Sequence, residues 1–84
     1  MKLADFRVGK TLREASVAEL PLACDRSPAA FVTELRKFRE QILPTDTLYY
    51  FNVNQEEWDK GFGSAGFALV RDGELFATLV VMMN

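Results

Sequence analysis

The chain has 84 residues, of which 49% are hydrophobic and 26% charged, with no histidine, one cysteine and a formal net charge of -2. That length holds one domain, residues 1–84, and the composition is globular rather than disordered. The missing histidine removes the commonest general base and metal ligand, and a lone cysteine excludes an intrachain disulfide or a cysteine-based zinc site.

A chain near this size hides only about 60–65% of its unfolded surface, so its core is thin and oligomerisation is a common supplement. Charge is uneven along it. Residues 44–84 carry Lys60 and Arg71 against Asp46, Glu56, Glu57, Asp59, Asp72 and Glu74, whereas residues 1–43 carry a slight basic excess. An acidic half repels phosphates and favours a basic protein partner over nucleic acid. Asp5, Arg7, Lys10 and Arg13 interrupt any apolar run of a signal-peptide kind. The longest uncharged apolar stretch, residues 75–83, is too short to span a bilayer as a helix. The expectation is a cytoplasmic protein with no membrane association.

In chain order, residues 2–8 alternate weakly, with Ala4, Phe6 and Val8 on one side, and hint at a strand. Thr11-Leu12-Arg13-Glu14 matches a capping box, which predicts a short N-terminal helix over residues 11–20, stopped by Pro21. Ser27-Pro28 is a helix start, and Phe31, Leu35, Phe38 and Ile42 form one apolar stripe at helical spacing. Pro44 ends that helix. Residues 47–53 are rich in strand formers, and a helical turn follows around Trp58. Residues 64–71 and 74–83 read as strands joined at Asp72-Gly73, a strong hairpin signal.

The hairpin sets Arg71 against Glu74 and, counting back, Leu69 against Phe76. One face then holds Gly66, Ala68, Val70, Leu75, Ala77, Leu79 and Val81. The other holds Ala65, Phe67, Leu69, Phe76, Val80 and Met82, with Thr78 as its polar member. Both are apolar, so both require a cover. The long helix is expected on the face with Gly66, Ala68 and Ala77. The opposite face is left for the N-terminal segment, a second copy or a partner.

Motifs for chemistry fail on context. Gly61-Phe62-Gly63-Ser64-Ala65-Gly66 has dinucleotide-loop spacing but precedes a strand rather than a helix. Its glycines are expected to pack close to Trp58 or Phe62. Gly9-Lys10-Thr11 lacks the earlier glycine of a phosphate loop. Ser64 and Cys24 have no histidine to activate them, and Tyr49, Tyr50 and Phe51 read as core. Glu56, Glu57 and Asp59 around Trp58 sit too close in sequence to converge on one ion, but an exposed tryptophan among acids makes an interface anchor.

These observations give an α+β domain: a short N-terminal helix, one long amphipathic helix, then a three-stranded antiparallel β-meander. The expected function is non-catalytic, with no cofactor and no metal. It is a small interaction or regulatory module that self-associates or docks on a protein partner. The expected contact residues are Trp58, Phe67, Leu69, Phe76, Glu56 and Glu57. Two alternatives belong to other classes: a small-ligand binder using an apolar sheet face, and an enzyme relying on carboxylates and tyrosines.

Overall fold

The computed structural model describes residues 1–22 and 27–83. It is an α+β fold in which one long helix packs on an antiparallel sheet of four strands, ordered β1-β2-β3-β4. The elements are α1 (Leu3–Phe6), β1 (Lys10–Glu14), a 3₁₀ turn (Val17–Glu19), α2 (Ala29–Gln41), β2 (Thr47–Val53), α3 (Gln55–Asp59), β3 (Ser64–Arg71) and β4 (Glu74–Met83). Among the described residues no helix is long and apolar enough to cross a membrane. Cys24, with its neighbours Asp25 and Arg26, lies outside the described residues.

The helix read from the apolar stripe is present. Leu35 and Phe38 are buried, with Phe31 and Ile42 packed at the margin of the same cluster. Pro28 stands at the N-cap position rather than inside the helix, and its carbonyl accepts the amide of Val32 at 3.0 Å. The helix stops at Gln41, with Ile42 already extended, and Pro44 keeps the next residue, Leu43, out of helical space as well.

The N-terminal third differs from the expectation. Residues 3–6 form one helical turn, not a strand. Residues 10–14 form the fourth strand, not a helix. The Ser/Thr-x-x-Glu pattern occurs twice, and only the second copy caps: Glu19 Oε2 accepts the Ser16 amide at 2.7 Å. At the first copy, sheet pairing wins over local preference. Leu12 lies opposite Phe51 and packs with Phe6 and Phe51, while Arg13 lies over the Tyr50 ring at 4.9 Å. Short polar sequences carry weak helical preference, so an available strand partner decides them.

β3 is one of the two inner strands and is buried from Ala65 through Val70. Its two faces have different covers. Under α2 lie Phe67 and Leu69, with Leu48 from β2, Leu79 from β4, Leu20, Leu35 and Phe38. On the other side Phe6 of α1 stacks edge-on against Phe51, with ring centroids 5.2 Å apart, and covers Ala68. The expectation that both faces are covered holds here, with the N-terminal segment as the second cover. The assignment of the helix is reversed: it lies on the Phe67–Leu69 face.

The reason is a β-bulge. The turn forms as read, with Asp72 and Gly73 both at positive φ and Arg71 opposite Glu74. Val70 faces Leu75, but Leu69 then faces Ala77, so Phe76 is an extra residue without a partner. A second irregularity makes Val81 extra between the Gly66–Val80 and Ala65–Met82 pairs. The first bulge exchanges the faces of the rest of β4, which brings Ala77, Leu79 and Val81 under the helix. Phe76 instead sits beneath the Arg71 guanidinium, 3.9 Å from its ring centre.

Candidate interaction surface

β4 is the outermost strand on its side of the sheet. The N-terminus covers only its first residues. The Leu3 amide donates to the Gly73 carbonyl at 3.1 Å, and the Leu75 amide donates to the Met1 carbonyl at 2.6 Å. The Met1 amine adds an ion pair to Glu74 at 3.6 Å. From Phe76 to Met83 the outer edge of β4 pairs with no strand among the described residues.

That uncovered length is unusual in its side chains. Residues 75–83 contain no charge and no proline, and Thr78 is the only polar residue. Phe76 is 49% exposed, Val80 40%, Met82 55% and Met83 72%. Free edges ordinarily carry lysine, proline or inward charges that deter pairing. Here two bulges are present, and no charged side chain follows Glu74. The exposed Phe62 precedes β3 by two residues, at the end where Ser64 pairs with Met83.

The residues singled out in the sequence separate into three groups. Phe67 and Leu69 are 4% and 0% exposed beneath α2, so they belong to the core and not to a contact surface. Phe76 alone of the three sheet residues is on the surface. Trp58 is half-buried, and its indole N–H donates to Asn52 Oδ1 at 2.6 Å. A Cβ on Gly63 would stand 2.1 Å from the Trp58 ring, so this glycine allows the ring to lie flat on the chain, as expected for that loop. Trp58 thereby braces the α3–β3 connection. Glu56 is exposed and Glu57 half-buried, pointing apart on the short helix, and Gln55 Nε2 donates to Asp59 at 3.0 Å.

Two polar clusters hold the elements behind this surface. Asp46 accepts from Arg71 Nε and Nη2, both at 2.8 Å, and its side chain is shielded from solvent. The Arg71 bonds hold the Asp46 carboxyl down at about 2, with help from the Leu43 amide, and Asp46 in turn raises Arg71. Arg71 also donates to the Gln41 carbonyl at 3.0 Å, which ties the end of α2 to the hairpin. At the other edge Arg13 pairs with Glu19 at 2.8 Å, and the Ser16 amide and Arg13 lower the Glu19 carboxyl. Both clusters are accounted for by these structural partners.

One hollow of about 270 Å³ lies beside α2, lined by Leu22, Val32, Leu35, Arg36 and Arg39. It is not on the sheet face that a ligand-binding reading would use. Among the described residues no three of the His, Cys, Asp and Glu side chains group so as to hold a metal ion.

Sequence reasoning missed Val80, Met82 and Met83 as a surface. The signal was the uncharged run of residues 75–83. It points to a strand edge only once β4 is known to be outermost. Compared with known protein families, curated proteins and solved structures, the chain matches none.

Proposed function

We propose that this chain is a small protein-interaction module that self-associates along the outer edge of β4. The observation that carries the reading is the uncharged edge from Phe76 to Met83, with four apolar side chains 40–72% exposed to water. Unpaired strand amides and carbonyls form a template for another strand, and exposed apolar side chains add burial when one arrives. Pairing two copies antiparallel joins their sheets into one continuous sheet. The acidic residues of α3 belong to the connection between the inner strands β2 and β3, not to the β4 edge.

Sedimentation equilibrium from low to high micromolar concentration tests this. The expected result is a concentration-dependent shift from monomer to dimer mass. Val80→Lys places a charge on the edge at a partly exposed position and is expected to hold the chain monomeric, with its circular dichroism unchanged. A wild-type chain that stays monomeric throughout overturns the proposal. So does a folded Val80→Lys variant that dimerises as the wild type does.

A further inference from the structure

Resting on that reading of the β4 edge, we infer that the partner is a second copy of this chain bound in a single register, with the two-fold axis passing through Leu79. Two strands in one sheet place directly opposed residues on the same face. Without bulges, many registers would satisfy this rule. The two bulges of β4 leave one that pairs the whole free edge from Phe76 to Met82.

The faces follow from the strand pairing. On the α2 side lie Ala77, Leu79 and Val81, which pack against the helix-covered cluster. Met82 is opposite Ala65, which shares that face with Phe67 by strand alternation. Phe76 is drawn to the same side by Arg71, whose other bonds reach Asp46 and the end of α2. On the opposite side lie Leu75 opposite Val70, Thr78 opposite Ala68, Val80 opposite Gly66 and Met83 opposite Ser64. An axis at Leu79 sets Thr78 against Val80 of the second copy, Ala77 against Val81 and Phe76 against Met82. Each pair lies on one face. An axis at Thr78 sets Phe76 against Val80, and an axis at Val80 sets Thr78 against Met82, so both join opposite faces. An axis between residues fails at its first pair except within a bulge: between Phe76 and Ala77 it runs at once into Leu75, where the N-terminus already holds the edge, and between Val81 and Met82 it pairs only residues 80–83.

Chemistry agrees with this geometry. The pairs are apolar, or threonine with valine, and no charge meets a like charge, because the only charge of β4 is Glu74 at its start. Phe76 and Met82, both exposed in the single chain, cover each other on the two sides of the axis. Aromatic rings and thioether sulfur make favourable contacts. The pairing ends where the N-terminus already occupies the edge, at Leu75. An unrelated peptide would have no reason to match the bulge spacing, whereas a second copy repeats it.

Single-cysteine variants in a Cys24→Ser background test the register. Thr78→Cys and Val80→Cys replace exposed side chains on one face. Directly opposed strand residues fall within disulfide reach. Each variant is oxidised alone and as a mixture in which one carries a short tag. The expected result is a mixed Thr78→Cys/Val80→Cys crosslink at several times the yield of either variant alone, with unchanged circular dichroism. Self-crosslinking of Thr78→Cys or Val80→Cys alone overturns the register and leaves self-association standing. A dimer by sedimentation that yields no crosslink overturns the register as well. A monomer at all concentrations overturns both this inference and the reading beneath it.

Discussion

Replacing Leu69 by alanine separates two placements of the same strand. By sequence alone, Leu69 belongs to the face left for the N-terminal segment, a second copy or a partner, and where another chain is the cover a substitution in the single chain changes little. In the structure it is 0% exposed and is the largest fully buried side chain among the described residues. It packs with Phe67, Leu79 and the α2 residues Leu35 and Phe38. Truncating a buried leucine to alanine costs about 2–5 kcal/mol, the larger values belonging to sites that cannot collapse. This site has sheet backbone on both sides and a helix above, so collapse is limited and about 3 kcal/mol is expected. Whole-domain stability runs at about 0.05–0.15 kcal/mol per residue, so a chain of this length holds roughly 4–13 kcal/mol. The variant therefore loses a quarter or more of its stability. In urea, with a slope of about 1–1.5 kcal/mol/M, the midpoint falls by roughly 2–3 M. Phe76→Ala serves as the contrast, because its ring is half exposed and its main contact is the Arg71 stack. That stack is worth about 0.5–1 kcal/mol at an exposed site. A Leu69→Ala loss below about 0.5 kcal/mol, the range of ordinary surface changes, would refute the placement of β3 beneath α2.

Gly66→Ala sets a Cβ 2.1 Å from the Leu79 carbonyl oxygen and 2.9 Å from Val80 Cα, both backbone atoms that cannot rotate away. Overpacking of this kind costs about 1–3 kcal/mol, read as a fall in the urea midpoint, and the strained β4 edge should also dimerise less. Asp46, depressed to about 2 by its Arg71 bonds, contributes stability that is present above the unfolded carboxyl value near 3.8 and is lost as pH falls through about 2. Thermal melts from pH 5 to pH 2 should therefore show wild type above Asp46→Asn at the upper end, with the gap closing toward the lower end. Trp58→Phe removes the indole donor to Asn52 while keeping the ring over Gly63. It should cost about 1 kcal/mol in chemical denaturation, leaving dimerisation unchanged.

What was legible in the sequence is what local chemistry decides. The stripe of Phe31, Leu35, Phe38 and Ile42 specifies α2 because helical spacing leaves it one face to bury. Asp72-Gly73 specifies its turn because positive φ at both positions excludes most other residues. β1 was not legible. Thr11 to Glu14 carries a local helix signal, and only the aromatic strand β2, distant in sequence, supplies the partner that overrides it. The bulge at Phe76 was not legible either. It goes with Arg71 reaching both Asp46 and the Phe76 ring, contacts between residues far apart in sequence that form where the end of α2 meets the hairpin. What separates the candidates is the cover: α2 buries Phe67 and Leu69, while Phe76, set aside at the bulge, stays 49% exposed.

The same bulge links core and edge. A strand buried on both faces, as β3 is, needs neighbours whose apolar residues alternate correctly, and β4 meets that need only by setting Phe76 aside. The residue set aside is large and apolar, and it sits on an edge that carries no charge beyond Glu74. Arg71 shields one side of its ring at 3.9 Å, yet 49% of Phe76 remains exposed. A chain with a thin core gains from burying such surface between copies, and among the described residues no other element covers it. Removing the bulge would therefore act on both levels. Deleting Phe76 should restore simple alternation, turn Ala77, Leu79 and Val81 away from α2, and destabilise the single chain more than Phe76→Ala does. If instead the deletion is tolerated as well as the alanine substitution, the exchange of faces along β4 does not depend on that residue.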